Sequence, residues 1–198
     1  MARYFKAKNK RECFRINYPM DERPVLLYGE KSYKIINLSE RGIKLILHKD
    51  QNFTVQKKIS SKLMIGEEHG YLVKGKIIIP SGAKLIYRFK LNSGEKQQLL
   101  LAQKNEKNIA FDIAGIIRSD FDLENCELHF PKNQDFLIKS LPDIDAFIEF
   151  KNGSQRIFIS GKIIRTTLKN IILHLDIGIS SKKIADQQRY LIRSGKIR

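Results

Sequence analysis

Two arginines near the start of the chain, Arg11 and Arg15, stand four residues apart in a stretch rich in lysine, arginine and asparagine. A guanidinium group is planar and always charged, so it pairs with phosphate through parallel hydrogen bonds and stacks on flat rings. Two such groups on one segment can clamp a flat, doubly charged anion. In a chain this basic, the same spacing also occurs in an ordinary solvated arm.

A polar segment, residues 37–42 (Asn-Leu-Ser-Glu-Arg-Gly), separates two short apolar runs one hairpin later. Asn37 and Ser39 carry short side chains that hydrogen-bond locally, and Gly42 lets the backbone turn tightly. Taken alone, this is an ordinary β-turn. Its specificity comes from its place after the arginine pair and before an alternating strand.

The elements that must position these residues are short strands. Residues 1–23, before the first strand, carry many charges and show no hydrophobic period, so they are interpreted as an arm or an ordered loop. Apolar, β-prone runs bounded by turn residues predict strands at 25–28, 33–36, 43–47, 62–65, 71–79 and 85–89. A helix is expected over residues 96–103. Many short strands with regular turns favour a closed barrel or a sandwich.

The strand pattern recurs along the chain. Residues 75–78 (Gly-Lys-Ile-Ile) reappear as residues 161–164, and the strand at 85–89 matches 171–175 with the same offset of 86. Asn37 aligns with Asp122 in the same order. Several ordered matches indicate two copies of one fold, with a boundary in the polar stretch 103–108.

We therefore predict an all-β-dominated protein of two small split β-barrels in tandem, residues 1–105 and 106–198, each closed by a short helix. The alternative is a single barrel that begins near residue 10, takes a long insertion at about 50–140 and closes with 145–198. The tandem arrangement is favoured because such an insertion exceeds the usual length of a connection.

The composition narrows the class of partner. The formal net charge of +16 favours anionic partners such as nucleotides, nucleic acid or a lipid surface. No apolar run approaches the roughly 18–20 residues of a membrane helix, and the basic N-terminus lacks the apolar segment of a signal peptide. Cys13 and Cys126 fit a reducing compartment. We expect a cytoplasmic protein.

Catalytic and metal-binding patterns are weak. The four histidines are scattered, the two cysteines form no CxxC pair, and no glycine-rich phosphate loop of the GxxxxGK[ST] kind is present. The carboxylate pairs, such as Glu67 and Glu68, fall in predicted turns, where carboxylates are usually solvated. We expect no metal, no cofactor and no enzymatic activity.

The two motifs together resemble the bipartite signature of the PilZ family, RxxxR followed by (D/N)xSxxG. The resemblance implies a small PilZ-like barrel that binds cyclic di-GMP, with the Asn and Ser side chains bonded to a guanine and the glycine allowing close approach of the backbone. It is specific in its motifs only for residues 11–42. The ligand-binding residues that it implies are Arg11, Arg15, Asn37, Ser39 and Gly42, with Lys10 and Arg41 as additional sources of charge.

The second copy departs from this pattern. Its equivalent turn is residues 122–127, in which Glu124 replaces the serine and Glu127 replaces the glycine, and residues 104–117 contain no arginine pair. Added carboxylates repel a dianion. We expect no ligand there, and a role as a packing surface, dimer interface or docking face.

The expected function is that of a bacterial cyclic di-GMP receptor whose arm orders onto the barrel when the dianion binds, which alters contacts with a downstream protein of unknown identity. A homodimer is compatible with this role. The rival hypothesis is a nucleic-acid-binding β-barrel, in which aromatic residues interleaved with the N-terminal charges stack on bases; these are Tyr4, Phe5, Phe14 and Tyr18. A third is a ligand-free adaptor.

Overall fold

The structure is a computed structural model that describes residues 14–66, 69–82, 84–131, 135–153 and 156–197. Within these ranges it contains fifteen β-strands, three α-helices and a short 3-10 helix at Met20–Glu22. In chain order, the elements are β1 (Arg15–Asn17), β2 (Val25–Tyr28), β3 (Lys31–Ser39), β4 (Gly42–Ile46), β5 (Asn52–Thr54), β6 (Ile59–Ile65), β7 (His69–Pro80), β8 (Leu85–Phe89), α1 (Ser93–Lys104), β9 (Ile109–Ile113), β10 (Ile116–Arg118), β11 (Phe121–Asp122), β12 (Glu127–Phe130), α2 (Asp135–Lys139), β13 (Ile144–Glu149), β14 (Arg156–Thr166), β15 (Asn170–Ile177) and α3 (Ser181–Arg193).

Strands from both ends of the chain close into a first barrel. The hydrogen-bonded order is β2, β3, β4, β15, β14, β13 and back to β2, and every pair is antiparallel. The short strand β1 pairs with the end of β3, beyond the part that pairs with β2. The alternation predicted from the sequence places Leu26, Ile35 and Leu45 on the buried face, each with 0% exposure.

The strands that lie between β4 and β13 in the chain form a second barrel. Their order is β10, β9, β6, β7, β8, β12 and β11, with β5 paired to β7. Only residues 119 and 120 separate β10 from β11, so the sheet nearly closes. Inside it, the rings of Phe89 and Phe111 lie 4.6 Å apart, and the buried Tyr87 hydroxyl lies 2.9 Å from Ser61 Oγ.

The prediction of an all-β protein with two small barrel-like sheets is confirmed. Helices follow β8 and β15, where the sequence places the closing helices. Helix α1 begins at a capping box, in which Asn92 and Glu95 bond each other's backbone N–H. Helix α3 begins at Ser180, whose hydroxyl accepts a hydrogen bond from the N–H of Lys183.

The strand pairing corrects the predicted division into residues 1–105 and 106–198. Because β2 pairs with β13 and β4 pairs with β15, the first barrel takes strands from both sides of that boundary. The second barrel, from β5 to β12, lies within residues 52–130. The alternative of a long insertion near 50–140 in one barrel therefore describes the pairing, except that the insertion is itself a barrel.

The sequence repeat corresponds to a repeat of structure. The β7–β8 hairpin and α1 match the β14–β15 hairpin and α3, while β9 to β12 take the places that β2 to β4 have in the first barrel. Each of the two repeats therefore has an N-terminal half (β1–β4 or β9–β12) and a C-terminal half (β5–β8 with α1, or β13–β15 with α3). Each barrel combines the N-terminal half of one repeat with the C-terminal half of the other.

The two barrels pack through aromatic side chains at their junction. The rings of Tyr28 and Phe53 stack with their centroids 5.0 Å apart, and the Tyr33 hydroxyl donates to the Asn52 carbonyl at 2.9 Å. The Tyr28 hydroxyl accepts a hydrogen bond from the N–H of Gln56 at 2.7 Å. The buried residues of both barrels form one continuous apolar cluster, so the insertion is anchored to the barrel that surrounds it.

Candidate functional site

Three of the predicted ligand residues form one row across the first barrel. Arg15 in β1 lies directly opposite Ser39 in β3, and Ser39 lies opposite Gly42 in β4. The next residues along β1 and β3, Ile16 and Leu38, are buried in the core. Because neighbouring residues of a strand face opposite sides, Arg15, Ser39 and Gly42 face outward together.

The missing side chain of Gly42 leaves the space in which these groups meet. A Cβ atom at this position would lie 3.1 Å from Ser39 Oγ and 3.5 Å from Arg15 Nη2. Ser39 is only 4% exposed, and its hydroxyl donates to the Gly42 carbonyl at 3.4 Å. Arg15 is exposed to solvent. The arrangement places a charged donor and a buried hydroxyl against the glycine, where a side chain would be crowded.

Asn37 lies one step further along the same face. It pairs with Asn17 in β1 and with Lys44 in β4, directly after a β-bulge at Ile35. Its side chain is half-buried. The row that contains Asn37 thus runs beside the row that contains Arg15, on the same face of the sheet.

The turn is shorter than the sequence suggested. Residues 37–39 belong to β3, and only Glu40 and Arg41 form the turn. The extension arises because β1 provides backbone partners for residues 37–39, which also shows that Arg15 lies in a strand rather than in an irregular arm. The turn is fixed to the rest of the barrel, because the carbonyls of Glu40 and Arg41 accept backbone hydrogen bonds from Ile179 and Leu175, both at 3.0 Å.

Of the other three predicted site residues, the structure describes only Arg41. Arg41 is exposed in the turn. Lys10 and Arg11 lie outside the described residues. The structure therefore brings together Arg15, Asn37, Ser39 and Gly42, with Arg41 at the adjoining turn.

Three cationic or titratable residues on the same face were missed from the sequence. Lys44 lies opposite Asn37, while His174 in β15 lies opposite Gly42 and Lys162 in β14 lies opposite His174. Lys162 also pairs with Asp143 at 3.6 Å. Alternation along β4 puts Lys44 on the same face as Gly42, so Lys44 could have been identified from the sequence. The position of His174 follows only from the pairing of β4 with β15.

The second barrel has a different group at the equivalent position. Glu127 lies opposite Arg88, as Gly42 lies opposite His174, and these pairs are the ones that the sequence repeat aligns. Arg88 Nε donates to Glu127 Oε1 at 2.7 Å, and His129 Nε2 lies 3.3 Å from the other carboxylate oxygen. The second barrel thus carries a carboxylate side chain at the position where the first barrel has only a glycine.

The turn that precedes Glu127 is closed by its own hydrogen bonds. Asp122 accepts from the side-chain nitrogen of Asn125 at 2.7 Å and from its backbone N–H at 3.0 Å. These two hydrogen bonds, of which the side-chain bond has the larger effect, lower the pKa of the Asp122 carboxyl below its ordinary value. The Asp122 carboxylate is therefore held in its charged form within this turn. The absence of a ligand here stays a prediction.

Comparison with known protein families, with curated proteins and with solved structures finds no match to this chain. Among the helices that the structure describes, none is sufficiently long and apolar to cross a bilayer. The described ranges also contain no group of three or more histidine, cysteine, aspartate or glutamate residues placed to hold a metal ion.

Proposed function

We propose that the first barrel is a PilZ-like receptor domain for cyclic di-GMP. The observation that carries the proposal is the placement of Arg15 and Ser39 against Gly42, with Asn37 in the neighbouring row, on the outer face of one closed barrel. A planar dianion with guanine edges needs a charged planar donor, short polar groups and room for close approach. These residues offer that set.

The roles follow from the chemistry of each group. Arg15 would pair with a phosphate or with the acceptor edge of a guanine and cover its ring. Asn37 and Ser39 would hydrogen-bond the other edge of the base, while Lys44 and His174 would supply further donors beside the phosphates. The residues before Arg15, including Arg11, would contact the bound ligand and present a changed surface to a downstream protein in the cytoplasm.

The alternative is a basic nucleic-acid-binding protein, which the net charge of +16 favours. Of the aromatic residues proposed to stack on bases, Phe14 is 55% exposed but Tyr18 is 5% exposed. Tyr4 and Phe5 lie outside the described residues. A stacking surface needs several accessible rings, so the described residues support the dinucleotide receptor better.

Titration calorimetry of the full chain with cyclic di-GMP tests the proposal. Replacing Arg15→Ala removes one charge-assisted contact, worth about 1.5–3 kcal/mol, so the affinity should fall by about ten- to a hundredfold. Arg11→Ala should act in the same direction. Arg193→Ala, at the exposed end of α3, is the matched control and should bind as the unchanged chain does.

Two outcomes would contradict the assignment. The first is unchanged affinity in both the Arg11 and Arg15 variants while their thermal unfolding is normal. The second is binding of a random oligonucleotide that weakens steeply with salt and is not displaced by cyclic di-GMP.

A further inference from the structure

A basic groove crosses the outer face of the second barrel and is not part of the site in the first barrel. It has a volume of about 720 Å³ and lies over strands β5, β7 and β8. Its lining contains five cationic side chains and no carboxylate. The cationic residues are Lys58, Lys74, Lys76, Lys90 and Arg88.

The strand alternation concentrates these charges on one face. In β7, Val73 and Ile77 point into the core, so Lys74 and Lys76 both point outward. Gly75 between them faces inward, where a Cβ atom would lie 2.5 Å from the ring of Tyr87. The glycine therefore serves the packing of the core and leaves the two lysines on either side of it exposed.

Like charges face each other across the strands. Lys76 lies directly opposite Arg88, and the N–H of Lys90 donates to the carbonyl of Lys74 at 3.3 Å, which sets these two lysines side by side. Cross-strand pairs of like charge destabilise a sheet. The Lys74–Lys90 pair is therefore unfavourable in the free chain, and Lys76 adds a third lysine to the same groove.

Only one of these cations is neutralised by the protein. Arg88 is bound by Glu127. Within the part of the chain that the structure describes, none of the groove lysines takes part in an ion pair. Local conflicts of this kind are typical of functional sites, where a ligand offsets them.

We propose that this groove binds a small oligophosphate, an anion with two or more adjacent phosphate groups, independently of the site in the first barrel. Lysine ammonium groups are compact point charges that suit phosphate oxygens without reading a planar shape. A single carboxylate would leave most of the positive charge unbalanced, whereas a triphosphate carries enough charge in one compact chain. The volume lies within the range of small-molecule sites.

The groove gives no preference for a nucleobase. Its one aromatic lining residue, Phe89, is 2% exposed, so no ring face is open to stack on a base. Inorganic tripolyphosphate and different nucleoside triphosphates should therefore bind with similar affinity. This distinguishes a site for the phosphate chain from a site for a particular nucleotide.

The test is titration calorimetry of the full chain with sodium tripolyphosphate, ATP and GTP at low and at physiological salt. In the double variant Lys74→Gln/Lys76→Gln, the affinity should fall by about tenfold for each lysine removed. The matched control, Lys96→Gln/Lys182→Gln, changes the net charge equally on exposed helix positions and should retain binding. Arg15→Ala should also retain it, which separates this groove from the first site.

A second measurement needs no ligand. Removing the repulsion between Lys74 and Lys90 should raise the thermal midpoint of the free double variant by about 0.5–4 °C, and tripolyphosphate should stabilise the unchanged chain more than this variant. The proposal is overturned by the absence of tripolyphosphate binding at millimolar concentration, by equal weakening in the control, by loss of binding in Arg15→Ala, or by a groove-dependent oligonucleotide complex that tripolyphosphate does not displace.

Discussion

Replacing Gly42→Glu should place a carboxylate in the first site at the position that Glu127 has in the second. The new Cβ atom would lie 3.5 Å from Arg15 Nη2, so the carboxylate can reach that guanidinium. The ligand would then lose Arg15 as a partner and face an added negative charge. We expect cyclic di-GMP binding to be lost while the barrel stays folded.

The size of the loss follows from two contributions. A charge-assisted hydrogen bond to Arg15 contributes about 1.5–3 kcal/mol. Two like unit charges about 5 Å apart repel by about 3 kcal/mol at an effective dielectric constant of about 20. Together these contributions amount to about 4–6 kcal/mol, or about three to four orders of magnitude in affinity.

The neutral variant Gly42→Gln separates charge from size. Its side chain has nearly the same size and the same crowded Cβ position, 3.1 Å from Ser39 Oγ, but it adds no repulsion and does not neutralise Arg15. Calorimetry should show a clearly smaller loss for Gln than for Glu, while thermal unfolding should shift by a similar amount in both, because both crowd Ser39. Equal losses of binding would mean that the size of the side chain alone is responsible, and retained binding in Gly42→Glu would refute the placement of the ligand beside Gly42.

Two further predictions test the fold. The isolated fragment of residues 1–105 should be unfolded by circular dichroism and NMR, since it lacks β13–β15 of one barrel and β9–β12 of the other; a dispersed spectrum would contradict the strand pairing. Burial raises the pKa of Tyr33 to about 12, above its ordinary value of about 10. Because the folded state favours the neutral phenol, this contribution to stability is complete below pH 10 and is lost as the pH rises towards 12. Urea midpoints at pH 9–12 should show this loss, and Tyr33→Phe should reduce it.

Local patterns in the sequence were sufficient for most of the first barrel's individual elements. Alternation placed β2, β3 and β4, and in the second barrel the helix expected over residues 96–103 lies within α1. The repeat offsets also aligned Gly42 with Glu127 and His174 with Arg88, and the structure places Gly42 opposite His174 and Glu127 opposite Arg88. This agreement arises because cross-strand register depends on residue spacing, which each half of the repeat preserves.

The partners of the halves could not be predicted in the same way. The C-terminal halves of both repeats contain an antiparallel hairpin with the same alternation of buried and exposed residues. Nothing in the local sequence therefore distinguishes β15 from β8 as the neighbour of β4. His174 was missed for this reason. Strand β1 was missed because it is three residues long and has one buried residue, Ile16, which is too short to show a period.

The nested order of the strands has a consequence for synthesis on the ribosome. Strands β1–β4 emerge first, but β13–β15 follow only after the whole segment of residues 52–130 has been made. The second barrel can therefore close first, and its folded ends shorten the gap that the first barrel must bridge, which lowers the entropy cost of closure. A substitution that unfolds the second barrel would then delay completion of the Gly42–His174 pair and leave the edges of β2 and β4 open to aggregation, although it lies far along the chain from the ligand residues.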